Sequence, residues 1–143
     1  MKRQALSLIS LLSLLLVAGS AIAQDSYVRA NVPFSFTIGD KTLPAGTYSI
    51  TRIGRGVETL LLQSQSGASK MMVGSNSVQN HNPSTKSKLV FNRYRDHYFL
   101  SEIWEEGATC GRQIPKTSRE KELAKELAAS VNHERIEIVA GLY

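Results

Sequence analysis

Cysteine is nearly absent from this sequence of 143 residues, which contains one, Cys110. One thiol cannot form a disulfide within the chain, and it cannot build a structural zinc site with thiolate ligands. The histidines His81, His97 and His133 do not pair at the spacing of metal ligands. The sequence therefore predicts a fold that needs neither disulfides nor a metal, and it indicates no cofactor.

The loops that carry common enzyme chemistry are missing as well. Gly54-Arg55-Gly56 lacks the third glycine and the following helix of a dinucleotide-binding loop, and neither a nucleophile elbow nor a Walker loop occurs. Glu102, Glu105 and Glu106 could include a carboxylate pair for glycoside hydrolysis, but a chain of this size leaves little room for the cleft. We therefore predict no catalytic residues, and an enzyme is the less favoured interpretation.

Charge of one sign is in small excess only. The formal net charge is +5 for the whole chain, and +3 once Lys2 and Arg3 are left out. The basic residues are scattered rather than gathered into a stripe, which argues against a nucleic-acid binder. With 42% hydrophobic and 20% charged residues, the composition is that of a folded globular chain rather than a disordered or membrane-embedded one.

The N-terminus has the three parts of a secretory signal. Lys2 and Arg3 precede an apolar stretch over 5–17, which is shorter than the roughly 20 residues of a spanning helix. Ala21-Ile22-Ala23 then offers a cleavage site, and cleavage after Ala23 leaves 120 of the 143 residues for one strand-rich domain over 24–143. Because no cysteine lies nearby to carry a lipid, we expect a soluble periplasmic or extracellular protein that meets the membrane only during export.

Short strands dominate the rest of the chain. Apolar and polar residues alternate from Val28 to Ile38, which is typical of a strand with one buried face, and Pro33 predicts an edge or a bulge there. Six or seven strands are expected, the others over 47–53, 57–64, 70–78, 88–95, 98–105 and 134–140. One helix is predicted near 118–130, because Thr117 and Glu120 fit a capping box. The order predicts a mainly β fold, either a small antiparallel β-barrel or a β-sandwich, with one C-terminal α-helix.

The densest group of recognition-type side chains lies around the predicted hairpin turn at Asp96-His97. Its candidate residues for a ligand or partner patch are Arg93, Tyr94, Arg95, His97, Tyr98 and Trp104. Tyrosine, tryptophan and arginine anchor many protein partners and ligands. In the alternative interpretation, the aromatic side chains belong to the core and the arginines pair with Asp96 and Glu102 across the hairpin.

Cys110 lies in a glycine-flanked loop and admits three interpretations. Arg112 would favour a reactive thiolate, and His97 would act as its base if the fold brought the two together. An unpaired cysteine in an exported protein can also form an intermolecular disulfide. The interpretation that we favour is a small, half-buried residue with no chemistry of its own.

Several segments of the chain resemble a group of small exported bacterial proteins without assigned function. These segments are Val32-Pro33-Phe34-Ser35-Phe36 with Gly39, Leu43-Pro44-Ala45-Gly46-Thr47-Tyr48, Lys88-Leu89-Val90-Phe91-Asn92-Arg93-Tyr94, Tyr98-Phe99-Leu100 with Trp104, and Gly111-Arg112 before Pro115. The resemblance covers most of the chain after the signal, but it consists of turn and strand motifs. It implies an exported, strand-rich single domain and no catalytic residue.

Three hypotheses of function follow from the sequence. We favour an exported non-enzymatic β domain that binds a small ligand, an envelope component or a protein partner, because no acid, base and nucleophile set is evident. The second hypothesis is a small envelope hydrolase or thiol enzyme that uses Cys110 and His97. The third is a structural or assembly subunit that forms homo-oligomers through an edge strand or through a Cys110 disulfide.

Overall fold

The computed structural model of the protein describes residues 27–54, 58–128 and 133–142. The predicted signal and its cleavage site lie outside these ranges. Within them the chain forms twelve strands and one helix, which confirms the prediction of a mainly β fold with a single C-terminal helix. No helix in the described ranges is both long and apolar enough to cross a membrane.

The strands belong to two sheets. In chain order they are β1 (Tyr27–Val32), β2 (Phe36–Ile38), β3 (Lys41–Leu43), β4 (Gly46–Ile53), β5 (Thr59–Ser64), β6 (Lys70–Gly74), β7 (Asn76–Gln79), β8 (Lys88–Tyr94), β9 (His97–Trp104), β10 (Cys110–Gln113), β11 (His133–Val139) and β12 (Gly141–Leu142), and the helix α1 (Ser118–Leu127) lies between β10 and β11. Sheet A has the order β12, β1, β4, β5, β6. Sheet B has the order β11, β8, β9, β10, β7, with β2 beside β9 and β3 beside β2. The contact of β2 with β9 is parallel, and the other pairs are antiparallel.

One hydrophobic core lies between the two sheets. Sheet A contributes side chains such as Val28, Ile50 and Leu62, and sheet B contributes Phe91 and Leu100. Because alternate side chains of a strand point to opposite faces, each sheet also has an outer face away from this core. In the described ranges the sheets do not close into a barrel. Of the two predicted architectures, the sandwich is therefore the one that the structure has.

The chain crosses from one sheet to the other within segments that the sequence pattern shows as single strands. Residues 33–35 separate β1 of sheet A from β2 of sheet B, so the predicted strand from Val28 to Ile38 is two strands. Pro33 has no N–H to donate to a ladder, which favours the break at this point. Ser75 and Ala140 separate β6 from β7 and β11 from β12 in the same way. The first two corners divide the predicted strands 28–38 and 70–78, because alternation continues through a change of sheet. The remaining strands beyond the six or seven expected are β3, β10 and β12, which were not predicted.

The strands β8 and β9 form the predicted hairpin. Tyr94 pairs with His97, so the turn is Arg95-Asp96, one residue earlier than the predicted Asp96-His97. Arg95 has a φ of 55° in this turn, in the left-handed region that is uncommon outside glycine. This hairpin is the centre of sheet B, since β11 adds to one side of it and β10 and β2 add to the other.

The helix α1 packs on the outer face of sheet B. Its N-cap is Thr117, whose hydroxyl accepts a 3.2 Å hydrogen bond from the backbone N–H of Glu120, as the capping pattern predicts. The apolar side chains of the contact are Leu123, Ala124 and Leu127 of the helix and Tyr94 and Phe99 of the sheet. The prediction of a helix that covers a sheet is confirmed. Its predicted last residues, beyond Ala128, lie outside the described ranges.

Candidate ligand-binding site

A bulge in β9 directs the side chains of Glu102 and Trp104 to the outer face of sheet B. Phe91 pairs with Leu100 and Val90 pairs with Glu102, so Ser101 is an extra residue on β9. Because of this residue, both Leu100 and Ile103 reach the core between the sheets. Glu102 and Trp104 consequently lie together on the opposite, outer face.

Glu102 is a buried acid in a hydrogen-bonded cluster. Its side chain is 8% exposed, and its Oε2 accepts a 2.8 Å hydrogen bond from the indole Nε1 of Trp104. The same oxygen accepts a 2.5 Å hydrogen bond from Nη2 of Arg135 on β11, two strands away. A buried carboxylate is costly unless it is paired and hydrogen-bonded, so these two donors account for its position. The side chain of Arg135 remains 53% exposed.

The indole of Trp104 lies against the backbone of β10. A Cβ atom built on Gly111 would come within 2.7 Å of the indole ring, which is closer than real Cβ atoms approach other atoms. Glycine at this position therefore allows the ring to lie flat on the neighbouring strand. The packing and the hydrogen bond to Glu102 together hold the ring in one orientation.

A pocket of about 200 Å³ opens beside this ring. It is lined by Asn80, Pro83, Ser84, Thr85, Lys88, Trp104 and Arg135. The lining brings together two cations, an amide, two hydroxyls and an aromatic side chain. Small-molecule sites commonly combine an apolar surface with a few such polar groups.

The loop over 80–87 forms one wall of the pocket and is tied to the segment over 105–109. The backbone N–H of Asn80 donates to the carbonyl of Thr109 at 2.8 Å, and that of Ser84 donates to the carbonyl of Ala108 at 2.9 Å. In return, the N–H of Gly107 donates to the carbonyl of Ser84 at 2.8 Å. Because both sides of the contact give and accept hydrogen bonds, this wall is formed without a ligand.

Lys88 is the second cation of the pocket. Its Nζ lies 2.7 Å from Oε1 of Glu137 on the neighbouring strand β11. The pair is partly exposed, with a quarter of the lysine side chain and about half of the glutamate side chain in contact with solvent. An exposed pair of this kind contributes little to stability, so an anionic ligand can replace Glu137 as the partner of Lys88 at small cost.

A second polar cluster lies at the other end of the same face, beneath α1. The carboxylate of Glu120 accepts hydrogen bonds from Asn92 Nδ2 at 2.9 Å and from the Tyr94 hydroxyl at 3.3 Å. Lys116 Nζ donates to the same hydroxyl at 3.4 Å. Burial raises the pKa of Tyr94 above its ordinary value, and the charge of Glu120 raises it further while Lys116 lowers it. This cluster holds the helix on the sheet. Three of its side chains, Asn92, Tyr94 and Glu120, are buried and not accessible to a ligand from solvent.

The structure distributes the predicted hairpin patch over two faces and both ends of β9. Tyr98 stacks on Phe34 at 4.0 Å between ring centroids, and the guanidinium of Arg93 lies 5.5 Å above the same ring. Tyr94 is buried beneath α1, and Arg95 and His97 are exposed at the turn. Trp104 lies at the far end of β9, about 20 Å from His97 at the usual rise of a strand. Arg93 to Tyr98 and Trp104 thus form separate surfaces, and ligand binding at the hairpin stays a prediction.

The expected charge pairs of that hairpin also differ in the structure. Arg93 donates to Glu134 at 3.2 Å and to the carbonyl of Arg95, rather than to Asp96. Glu102 is engaged by Arg135 instead of a hairpin arginine. Both partners come from β11, whose position beside β8 is not visible in the local sequence.

Cys110 and His97 lie towards opposite ends of the same sheet. His97 begins β9, whereas Cys110 begins β10 beyond the other end of β9 and pairs with Gln79. Cys110 begins a strand and is exposed, so the predictions of a loop position and of a half-buried side chain were wrong. Arg112 is engaged by Glu58 at 3.0 Å. The geometry does not place the histidine as a base for the thiol, so the thiol hypothesis gains no support from it.

Arg135 and Lys88, the two cations of the pocket, and Glu137, the ion-pair partner of Lys88, were not predicted as site residues. Arg135 and Glu137 alternate with Ile136 and Ile138, which identified a strand but not its neighbour. Lys88 precedes an apolar run and reads as an ordinary strand start. The long polar loop over 80–87 was a usable signal, since such loops often carry binding residues.

A larger pocket, of about 440 Å³, lies at the start of β4. Its lining residues are Pro44, Ala45, Gly46, Thr47, Tyr48, Ser64, Gln65, Ser66, Ala68 and Ser69, none of them charged. It therefore offers less to select a ligand than the Trp104 pocket does. In the part of the chain that the structure describes, no group of three or more histidine, cysteine or acidic side chains could hold a metal ion.

Comparison of this chain with protein-family models, with curated proteins and with solved structures finds no match.

Proposed function

We propose that the protein is an exported binding domain that takes an acidic, hydroxyl-bearing small molecule of the sugar class, free or as part of an envelope component, in the Trp104 pocket. The observation that carries the proposal is the guanidinium of Arg135, held at the wall of the pocket by the buried carboxylate of Glu102. An arginine fixed in this way is ready to meet a carboxylate, because its forked donors match the two oxygens of that group.

The donor count of Arg135 supports an acidic ligand. Glu102 engages Nη2, and a guanidinium carries five N–H donors in all. The side chain is half exposed and lines the pocket, so further donors are accessible to a ligand carboxylate. The ion pair with Glu102 restrains this side chain before binding, which reduces the entropic cost of forming the complex.

The uncharged part of the lining supports a hydroxyl-bearing ligand. Asn80, Ser84 and Thr85 bring an amide and two hydroxyls to the pocket, and Trp104 contributes part of its aromatic ring. A sugar offers both kinds of contact, since its hydroxyls exchange hydrogen bonds with polar side chains and its C–H groups pack on a ring. Lys88 adds a second positive charge for a ligand with more than one anionic group.

The N-terminal sequence supports the proposed location. A basic start, an apolar stretch and the site at Ala21-Ile22-Ala23 are the features of an export signal. Outside the cytoplasm the protein would meet acidic sugars of the cell envelope.

Native mass spectrometry of the protein recovered from its own export compartment tests both parts of the proposal. We expect a chain that begins at Gln24 and carries an acidic ligand that leaves on denaturation. The variant Arg135→Gln should lose this ligand, whereas Arg93→Gln, which removes an arginine paired with Glu134 on the same sheet, should retain it. Retention of the ligand by Arg135→Gln would contradict the assigned site. An uncleaved chain confined to the cytoplasm would contradict export.

A further inference from the structure

The strand β6 is an unprotected edge of sheet A. It is the last strand in the order of that sheet, and in the described ranges no strand pairs with its other side. The next strand along the chain, β7, belongs to sheet B. An edge strand presents unpaired backbone N–H and C=O groups, and proteins usually protect it with charge, proline or a covering segment.

The hydrogen bonds that flank β6 show which backbone groups point outward. The N–H of Ser64 donates to the carbonyl of Ser69, and the N–H of Ser75 donates to the carbonyl of Glu58. Ser69 and Ser75 thus direct their backbone groups towards β5. Since the direction alternates along an antiparallel strand, Met71 and Val73 also face β5, and the backbone groups of Lys70, Met72 and Gly74 face away from it.

The side chain at the centre of this edge is apolar and exposed. Met72 is 65% exposed, the largest value among the exposed large hydrophobic residues of the described chain, and Val139 follows at 59%. Its cross-strand partner is Leu61, which lies half-buried on the same outer face of sheet A. The one charge within β6 is Lys70, at its first position. The edge therefore lacks the charge that would keep another strand away from its centre.

We propose that β6 pairs antiparallel with β6 of a second copy of this chain, with Met72 of one copy opposite Met72 of the other. In this register Lys70 lies opposite Gly74 of the second copy, so the like charges do not meet. All the outward-facing residues, Lys70, Met72 and Gly74, then exchange backbone hydrogen bonds with the second copy. The two five-stranded sheets become one continuous sheet.

The self-complementarity of this edge favours a second copy over an unrelated peptide. A register centred on one residue is related by a two-fold axis, so each contact occurs twice and the assembly closes as a dimer. Leu61 and Met72 are cross-strand neighbours on the outer face of sheet A, and the dimer places the same two residues of the second copy beside them. The two exposed methionine side chains then cover each other. The proposal is independent of the Trp104 pocket, because the strand residues that line that pocket belong to sheet B and β6 belongs to sheet A.

Sedimentation equilibrium of the folded protein tests the dimer. We expect a concentration-dependent monomer–dimer equilibrium, and we expect Met72→Lys to raise the dissociation constant by about tenfold or more, because two like charges would then face each other. The matched control is Val139→Lys, which places the same charge at the other exposed hydrophobic residue, on β11, and should leave the constant unchanged. A wild-type protein that remains monomeric up to millimolar concentration would overturn the proposal, and so would a dimer that survives Met72→Lys.

A thiol cross-link tests the register. In a Cys110→Ser background, Met72→Cys should give a covalent dimer with a short bifunctional thiol reagent, because the two residues face each other across the pair. Val139→Cys in the same background should remain monomeric. Equal cross-linking of the two variants would overturn the register centred on Met72. Both positions are highly exposed, so the substitutions remove no core packing.

Discussion

The indole N–H of Trp104 donates a 2.8 Å hydrogen bond to the carboxylate of Glu102, two residues earlier on the same strand. The bulge at Ser101 is what allows this contact, because it turns Glu102 to the outer face while Leu100 and Ile103 both stay in the core. The same carboxylate oxygen binds Arg135. One buried acid therefore sets the orientation of both the ring and the guanidinium that line the pocket. Since the chain has a single tryptophan, its fluorescence reports on this pocket alone.

Gly111→Ala should displace the indole of Trp104. The added Cβ would lie 2.7 Å from the ring, and overpacking of this kind costs about 1–3 kcal/mol. We expect a lower midpoint of urea unfolding together with a changed emission maximum of the folded protein. Gly74→Ala is the control, because nothing lies within 4 Å of a Cβ at that strand position. If both variants had the same stability and emission, the close contact with the ring would be wrong.

Thr117→Ala should destabilise the protein by about 1 kcal/mol, the usual cost of losing an N-cap side chain. The hydroxyl of Thr117 satisfies the backbone N–H of Glu120, whose side chain binds Asn92 and Tyr94 beneath the helix. Thr117→Ser keeps the accepting oxygen and should retain most of the stability. Chemical unfolding of the three proteins measures the difference. Equal losses for alanine and serine would show that the cap does not hold the helix.

The free energy of unfolding should fall more steeply at alkaline pH than it would if every tyrosine kept its ordinary pKa. Burial raises the pKa of both Tyr48 and Tyr94 in the folded protein. The unfolded chain then loses these protons first, so the stabilisation is complete below about pH 10 and is lost as the pH rises through the raised values. Tyr94→Phe should flatten the decline of the unfolding temperature above pH 10, and the double variant with Tyr48→Phe should flatten it further. An unchanged slope in both variants would contradict this account.

Alkylation of Cys110 should not depend on His97. The thiol is exposed at the start of β10, and the histidine begins β9 at the other end of the sheet. We expect iodoacetamide to modify Cys110 in the folded protein at the same rate, within about twofold, in the wild type and in His97→Ala. A tenfold slower reaction in His97→Ala would instead support the thiol-enzyme hypothesis. The time course is measured by intact mass.

Local patterns were enough to predict much of the fold. The β8–β9 hairpin, the cap at Thr117 and the position of α1 follow from residues that lie close together in the sequence. The break at Pro33 was anticipated as an edge or a bulge, but the change of sheet was not. Alternation records which side chains are buried, and it continues unchanged when a strand turns from sheet A into sheet B. Two predicted strands were therefore each two, and the short strands β3, β10 and β12 were not predicted.

The candidate site depends on contacts between distant parts of the chain. Trp104 was among the predicted site residues, but Arg135 and Lys88 were not, since the paired residues of β11 and β8 are 39 to 51 positions apart in the sequence. The direction of Glu102 depends on one extra residue in β9, and no turn or proline marks it. The pairing of strands β8, β9 and β11 had to be known before Lys88, Trp104 and Arg135 could be placed together.

Titration of Trp104 fluorescence with glucuronate, and with glucose as its uncharged counterpart, tests the central claim most directly. At low salt we predict a saturable change with glucuronate in the wild type and in Arg93→Gln, no change with glucose over the same concentrations, and loss of the glucuronate response in Arg135→Gln. Unfolding curves of each variant confirm that the folded protein is being measured. A wild type without a saturable response to glucuronate, or an equal response in Arg135→Gln, would contradict the assignment of an acidic sugar to this pocket.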